Sequence, residues 1–292
     1  MNHRQYSNII LTLLIAAIFN CSCIKRYDES NRHNIVIEGW IDNGQSPVVI
    51  VTKSIFPGLN NKNMAVDINY IGIGAKVIVS CEDKTEILEG KIDTHYLPPY
   101  VYTTDKIIGE AGKTYNLSVE LDEYTATAST TVPLEQAVID SFSIKPDKLT
   151  DSLLTIAAYV SNPNKCKYLN TFIAAQPEQD FLMSSFLGTF KGEYFENGNN
   201  MVILSKPYKS VLYHEDYFSN FRYGDSVTIK FSCIDSLAFT YWNNFNTSTS
   251  ISNNMMGEIK NLKANIKGGE GYWFGYNSSV YTLLLPGKNE CN

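Results

Sequence analysis

TYNLSVELDEYTATASTTVP, residues 114–133, decides the fold class. Tyr115, Leu117, Val119 and Leu121 are apolar and the residues between them are polar, the period of two that sorts side chains onto the two faces of a strand. Asp122-Glu123 turns the chain, Tyr124–Val132 returns as a second strand, and Pro133 ends it. The pattern recurs upstream. Ile35, Ile37 and Ile41 form one face of an earlier strand, and Asn43-Gly44 after Asp42 tolerates the positive φ of a tight hairpin. Pro47–Thr52, Ala75–Cys81, Thr85–Leu88 and Tyr100–Thr104 read the same way, so 34–133 is expected to be a β-sandwich of the immunoglobulin-like kind.

A second strand-rich unit is expected over 136–286, with a tail at 287–292. Its strands are Leu153–Val160, Tyr168–Ala174, Met201–Leu204, Ser226–Ile234 and Tyr272–Leu285. It holds one short helix. Ser236 is placed to cap it, and Ala238, Tyr241, Trp242 and Phe245 fall at helical spacing on one stripe, expected to be buried. The chain is therefore expected to be all-β, with two tandem sandwich domains.

The first residues give an address. Met1–Asn8 carries Arg4 and no acid, and Ile9–Phe19 is an eleven-residue apolar run. A helix of that length spans roughly 16 Å, about half a hydrocarbon core, which suits a signal peptide better than an anchor. Ser22-Cys23 follows and resembles a bacterial lipobox, in which the thiol is lipidated. The alternative is an ordinary secretory peptide cut nearby. The lipobox reading makes residues 1–22 a signal peptide, Cys23 the lipidation site and 23–33 a linker. Two or three acyl chains hold a protein to a membrane where one does not.

Losing Arg4 leaves 23 basic against 30 acidic residues, and no basic cluster is longer than Lys25-Arg26. Such a chain repels phosphate backbones, so nucleic acid is not an expected partner. Of the remaining cysteines, Cys81 and Cys233 end alternating strands and are expected to face a core, while Cys166 and Cys291 sit in polar, turn-rich surroundings. In an oxidising compartment the expected bridge is Cys166–Cys291, against two free loop thiols.

Chemical motifs are sparse. Gly109-Glu110-Ala111-Gly112-Lys113-Thr114 lacks the first glycine of a phosphate-binding loop and leads into a strand, so it reads as a turn. Gly268-Gly269-Glu270-Gly271 has no βαβ context and reads as a bulge before Tyr272, Trp273, Phe274 and Tyr276. Alternation puts these four rings on two faces, so they are either ordinarily packed or include an outward pair that would contact a ligand or partner. His33, His95 and His214 are not spaced as metal ligands, and no nucleophile elbow occurs. Glu178 and Asp180 read as solvated loop carboxylates, although two carboxylates from distant strands would escape this reading. No catalytic residue, metal site or cofactor is expected.

VIEGWIDNG (36–44), IGAKVIVSCEDK (73–84), IGEAGKTYNLSVE (108–120), YGDSVTIKFSCIDSLAFTYW (223–242) and NIKGGEGYWFGY (265–276) resemble, in that order, the Bacteroidetes lipoprotein family catalogued as domain of unknown function 4249. The first half also resembles the transthyretin-type sandwich of carboxypeptidase regulatory domains. The family resemblance implies an outer-membrane lipoprotein. Asp28 and Glu29, behind Cys23, lean that placement toward the cell-surface face. It further implies a non-enzymatic accessory of a TonB-dependent transporter, handling a small-molecule, glycan or peptide ligand. A structural or adhesive surface module is the alternative.

Overall fold

Opposite the isoleucine face of the first strand stand Glu38, Trp40 and Asp42, and this two-sidedness propagates through the molecule. A computed structural model describes residues 34–54, 68–162, 165–195, 200–207, 220–249, 262 and 264–288. The fold is all-β and sandwich-type, with one α-helix among the described residues.

The largest sheet has eight strands. In spatial order they are β12 (Gln179–Lys191), β11 (Tyr168–Gln176), β15 (Ser226–Ile234), β16 (Glu270–Leu284), β1 (Ile35–Asp42), β2 (Val48–Lys53), β6 (Tyr100–Thr103) and β5 (Glu89–Ile92). A second sheet runs β4 (Lys84–Ile87), β3 (Lys76–Cys81), β7 (Thr114–Leu121), β8 (Tyr124–Thr131). A third runs β13 (Met201–Leu204), β10 (Leu153–Ser161), β14 (Phe221–Arg222), with β9 (Val138–Pro146) also pairing with β10.

Strand β16 belongs to both halves of the chain. Its first residues pair in parallel with β1, from Val36↔Glu270 to Asp42↔Tyr276. Its later residues pair antiparallel with β15, from Cys233↔Asn277 to Ser226↔Leu284. The parallel start needs a close backbone approach. Gly271 has φ +96°, and a Cβ there would lie 1.9 Å from the Ile37 carbonyl oxygen.

One face of the large sheet carries both small sheets. Ile35, Ile37, Ile41, Val49 and Trp273 pack with Val77, Val79, Leu117 and Val119 of the second sheet. Leu169, Ile173, Val227, Ile229 and Phe231 pack with Leu154, Ile156, Ala158 and Val202 of the third. Trp273 is fully buried, and its indole N–H donates to the Tyr115 carbonyl at 3.0 Å, tying β16 to β7. The predicted alternation of Tyr115–Leu121 with Tyr124–Val132 is the β7–β8 hairpin. Gly112, at φ +83°, turns the chain into β7, so the glycine–lysine–threonine segment is a turn feeding a strand, as expected.

Helix α1 (Ser236–Thr249) packs on the opposite face. Ala238, Tyr241 and Trp242 are buried there, with Phe245 partly so, as their spacing predicts. The cap differs from expectation. Asp235 Oδ1 accepts the Ala238 backbone N–H at 2.7 Å, so Asp235 rather than Ser236 is the N-cap, one residue earlier.

The disulfide also differs. Cys166 is bonded to Cys233, with sulfurs 2.01 Å apart, and not to Cys291, which lies outside the described residues. The reason is register: Leu169 pairs with Cys233 across β11–β15, which carries Cys166, just before β11, to the end of β15. Both sulfurs lie in the second core, and Cys81 stays a buried free thiol in the first. Among the described residues, no helix is long and apolar enough to cross a membrane. Cys23 and the signal-peptide and linker segments lie outside them.

Candidate functional site

The helix-bearing face of the large sheet is concave, and its cavity measures about 1000 Å³. Its floor comes from neighbouring strands. Glu38, Trp40 and Asp42 rise from β1, Tyr272 and Tyr276 from β16, and Lys230 from β15. Its sides are α1, the 178–184 segment, and the 93–97 loop between β5 and β6. Alternation alone sends these side chains here, because their strand neighbours fill the two cores behind the sheet.

Aromatic rings cluster in part of the lining. Tyr241 of α1 lies 5.0 Å from Tyr272 between ring centroids, and Trp242 meets Phe172 edge-on at 5.3 Å. The Trp242 indole N–H donates to the Tyr276 hydroxyl at 3.1 Å, fixing both rings. Toward the 93–97 loop, Trp40 packs against Tyr96 at 5.8 Å. Burial raises the Tyr241, Tyr272 and Tyr276 hydroxyls above the ordinary tyrosine range. Glu38 adds to the first two, Asp42 to the third.

The buried charges are paired; an exposed acid on the cavity floor is the exception. Lys230 Nζ reaches Asp42 Oδ2 at 2.8 Å and lies 4.7 Å from the Tyr276 ring centroid. Asp42 Oδ1 also accepts the Ser278 backbone N–H at 3.1 Å, so this pair is well satisfied. Lys206, also buried, meets Glu178 at 2.8 Å and Asp225 at 3.6 Å. Glu178 is thus half of an ion pair at the cleft, not the solvated loop carboxylate its sequence context suggests. At the rim, Asp93 bonds His95 Nδ1 at 2.9 Å, which lowers the Asp93 carboxyl below its usual range.

The exception is Glu38. Among the described residues its side chain makes no hydrogen bond and no ion pair. Its side chain is solvent-exposed and faces the open cavity whose lining it joins. Accessibility registers the open cavity above the carboxylate, and the surrounding atoms desolvate it, raising its pKa.

The four aromatic residues singled out by sequence divide between the two faces. Tyr272, Phe274 and Tyr276 join the helix-side cluster, and Trp273 points the other way into the first core. None is exposed on the outer surface, so all four are packed and there is no outward pair: β16 is central in its sheet and covered on both faces. Tyr272 and Tyr276 nevertheless line the cavity. Sequence reasoning missed Glu38, Trp40, Asp42 and Lys230. Their signal was present in the non-isoleucine face of β1, where an acid and a large ring alternate, and in a lysine interrupting the apolar strand β15.

Among the described residues no group of three His, Cys, Asp or Glu side chains is arranged to hold a metal ion. What the arrangement offers is a large, partly aromatic cavity with a desolvated carboxylate at its base. Among curated proteins, no sequence matches the chain. A family model matches residues 25–282, nearly the whole chain, and the protein belongs to the family described as domain of unknown function (DUF4249).

Proposed function

We propose that the protein is a lipid-anchored envelope protein that captures a ligand in the cleft above Glu38 and serves, without catalysis of its own, a TonB-dependent outer-membrane transporter. One observation carries the capture reading: a cavity of about 1000 Å³, walled in part by aromatic rings, whose buried charges are already paired. That size is the upper end of ordinary ligand sites, and aromatic side chains are a usual part of their lining. The apolar run Ile9–Phe19 followed by Ser22-Cys23 supports export and lipidation, and the 23–33 segment would act as a tether. The family resemblance supports outer-membrane placement, toward the cell-surface face, beside a transporter.

The test is purification from gently solubilised outer membranes of the native cells, with intact-mass measurement of the chain. A diacylglyceryl mass on Cys23 and co-purification of a barrel protein are the expected results. An unmodified N-terminus, or repeated recovery without any barrel, refutes the anchor or the partnership respectively. Leucine in place of Trp40, which lines the cleft without belonging to either core behind the sheet, is expected to abolish capture while leaving both anchor and barrel association intact.

A further inference from the structure

The cleft is electrically one-sided. Seven carboxylates line it, those of Glu38, Asp42, Glu89, Asp93, Asp105, Glu178 and Asp180, against the three lysines Lys91, Lys106 and Lys230. The deepest lysine, Lys230, is spent on Asp42 at 2.8 Å. Glu38 therefore stands on the floor without a counter-ion. Its immediate neighbours are rings: Tyr272 is its partner across the β1–β16 pairing, Trp40 lies two residues along the same strand face, and Tyr241 of α1 is near enough to feel its charge.

From this geometry we infer that the cleft recognises an organic cation, an ammonium or quaternary ammonium group seated against Glu38 among the rings of Tyr241, Tyr272 and Trp40. The inference rests on the capture reading above and specifies the ligand class. Two forces act together in such a seat. The carboxylate supplies an opposite charge at the cavity floor, and the negative faces of the rings attract the same cation. A neutral ligand would leave the carboxylate desolvated and unbalanced, and an anion would add repulsion. A bare metal ion finds too few ligands here, since no group of three His, Cys, Asp or Glu side chains among the described residues is arranged to hold one. The cavity is far larger than one ammonium group, so the cation is one end of a larger ligand whose remainder lies toward Trp40, Tyr96 and Phe245.

Glu38 also has the thermodynamic mark of a binding residue. Its carboxyl resists ionisation in the fold, so the fold is weakened as pH rises past the ordinary carboxylate range, and nothing structural is gained in return. Glu38→Gln is expected to be at least as stable as the parent at neutral pH.

The test uses the purified, detergent-solubilised full-length chain with three probes: 2-phenylethylammonium, benzyltrimethylammonium and the uncharged 2-phenylethanol. Binding is read by calorimetry and by quenching of tryptophan fluorescence. Both cations are expected to bind at least about tenfold tighter than 2-phenylethanol, about 1.4 kcal/mol. In Glu38→Gln that preference is expected to fall to about threefold or less, with 2-phenylethanol binding unchanged and the thermal midpoint equal or higher. Equal binding of 2-phenylethanol and the cations by the parent, a preference that survives Glu38→Gln, or no cation binding at about 10 mM overturns the inference. Binding of 2-phenylethanol alone would overturn the cation while leaving the cleft as a capture site.

Discussion

Breaking the Cys166–Cys233 bond perturbs the molecule in a way whose size follows from topology. The bond closes a loop with a sequence separation of 67 residues. On the chain-entropy relation, constraining the unfolded chain over that span contributes about 4.4 kcal/mol at 25 °C. The double variant Cys166→Ala/Cys233→Ala is therefore expected to lose about 3–5 kcal/mol, its buried sulfurs adding a packing loss to the entropic one. With a urea m-value of about 3 kcal/mol/M, the unfolding midpoint falls by about 1.5 M. Equilibrium unfolding with and without a reductant measures it. Reductant should bring the parent close to the variant and leave the variant unmoved, and Cys291→Ser should behave as the parent within about 0.5 kcal/mol. Peptide mapping under non-reducing conditions identifies the pair independently. A Cys166–Cys291 peptide, or a double variant within about 1 kcal/mol of the parent, would refute the register argument that places Cys166 against Cys233.

Three further outcomes are expected. Lys230→Met leaves Asp42 buried without its cation and should cost about 3–5 kcal/mol in denaturant unfolding, whereas Lys230→Met/Asp42→Asn should cost less; equal losses would deny the pair. Asp235→Ala removes the cap of α1 and should cost about 1 kcal/mol, with Ser236→Ala within about 0.5 kcal/mol of the parent; the reverse ranking would restore Ser236 as the cap. Burial pushes Tyr115 up to about 12 and raises Tyr241, Tyr272 and Tyr276 as well, while the unfolded chain ionises its tyrosines near pH ~10. Stability should be full below about pH 10 and fall as pH rises toward the folded-state values, because the unfolded state then binds fewer protons. A spectrophotometric titration in which every tyrosine ionises near pH ~10 in the folded protein would contradict this.

The strands were legible because each carries its own record of which face is wet: Tyr115–Leu121 announces itself without reference to any other segment. The same locality limited the rest. Period-two patterning in Ile35–Asp42 reveals a strand but not its partner, and nothing near residue 40 indicates that Trp40 lies beside Phe274. The cleft depends on that pairing, so Glu38, Trp40 and Lys230 acquire meaning only once β1, β16 and β15 are adjacent. The aromatic run at 272–276 drew notice for the right reason, its density of rings. Its placement stayed open because exposure is a property of the sheet, and a central strand has no outer side. Cys233 was rightly given to a core, but an alternating strand says nothing about which loop arrives at its end.

Strand β16 has a consequence for how the protein is made. The first strand of the large sheet takes its parallel neighbour from far along the chain, with Val36 matched to Glu270. The centre of that sheet stays open until β16 has left the ribosome, which makes its closure slow. A stop before Glu270 would remove this keystone and leave β15 and β1 with no strand to join them.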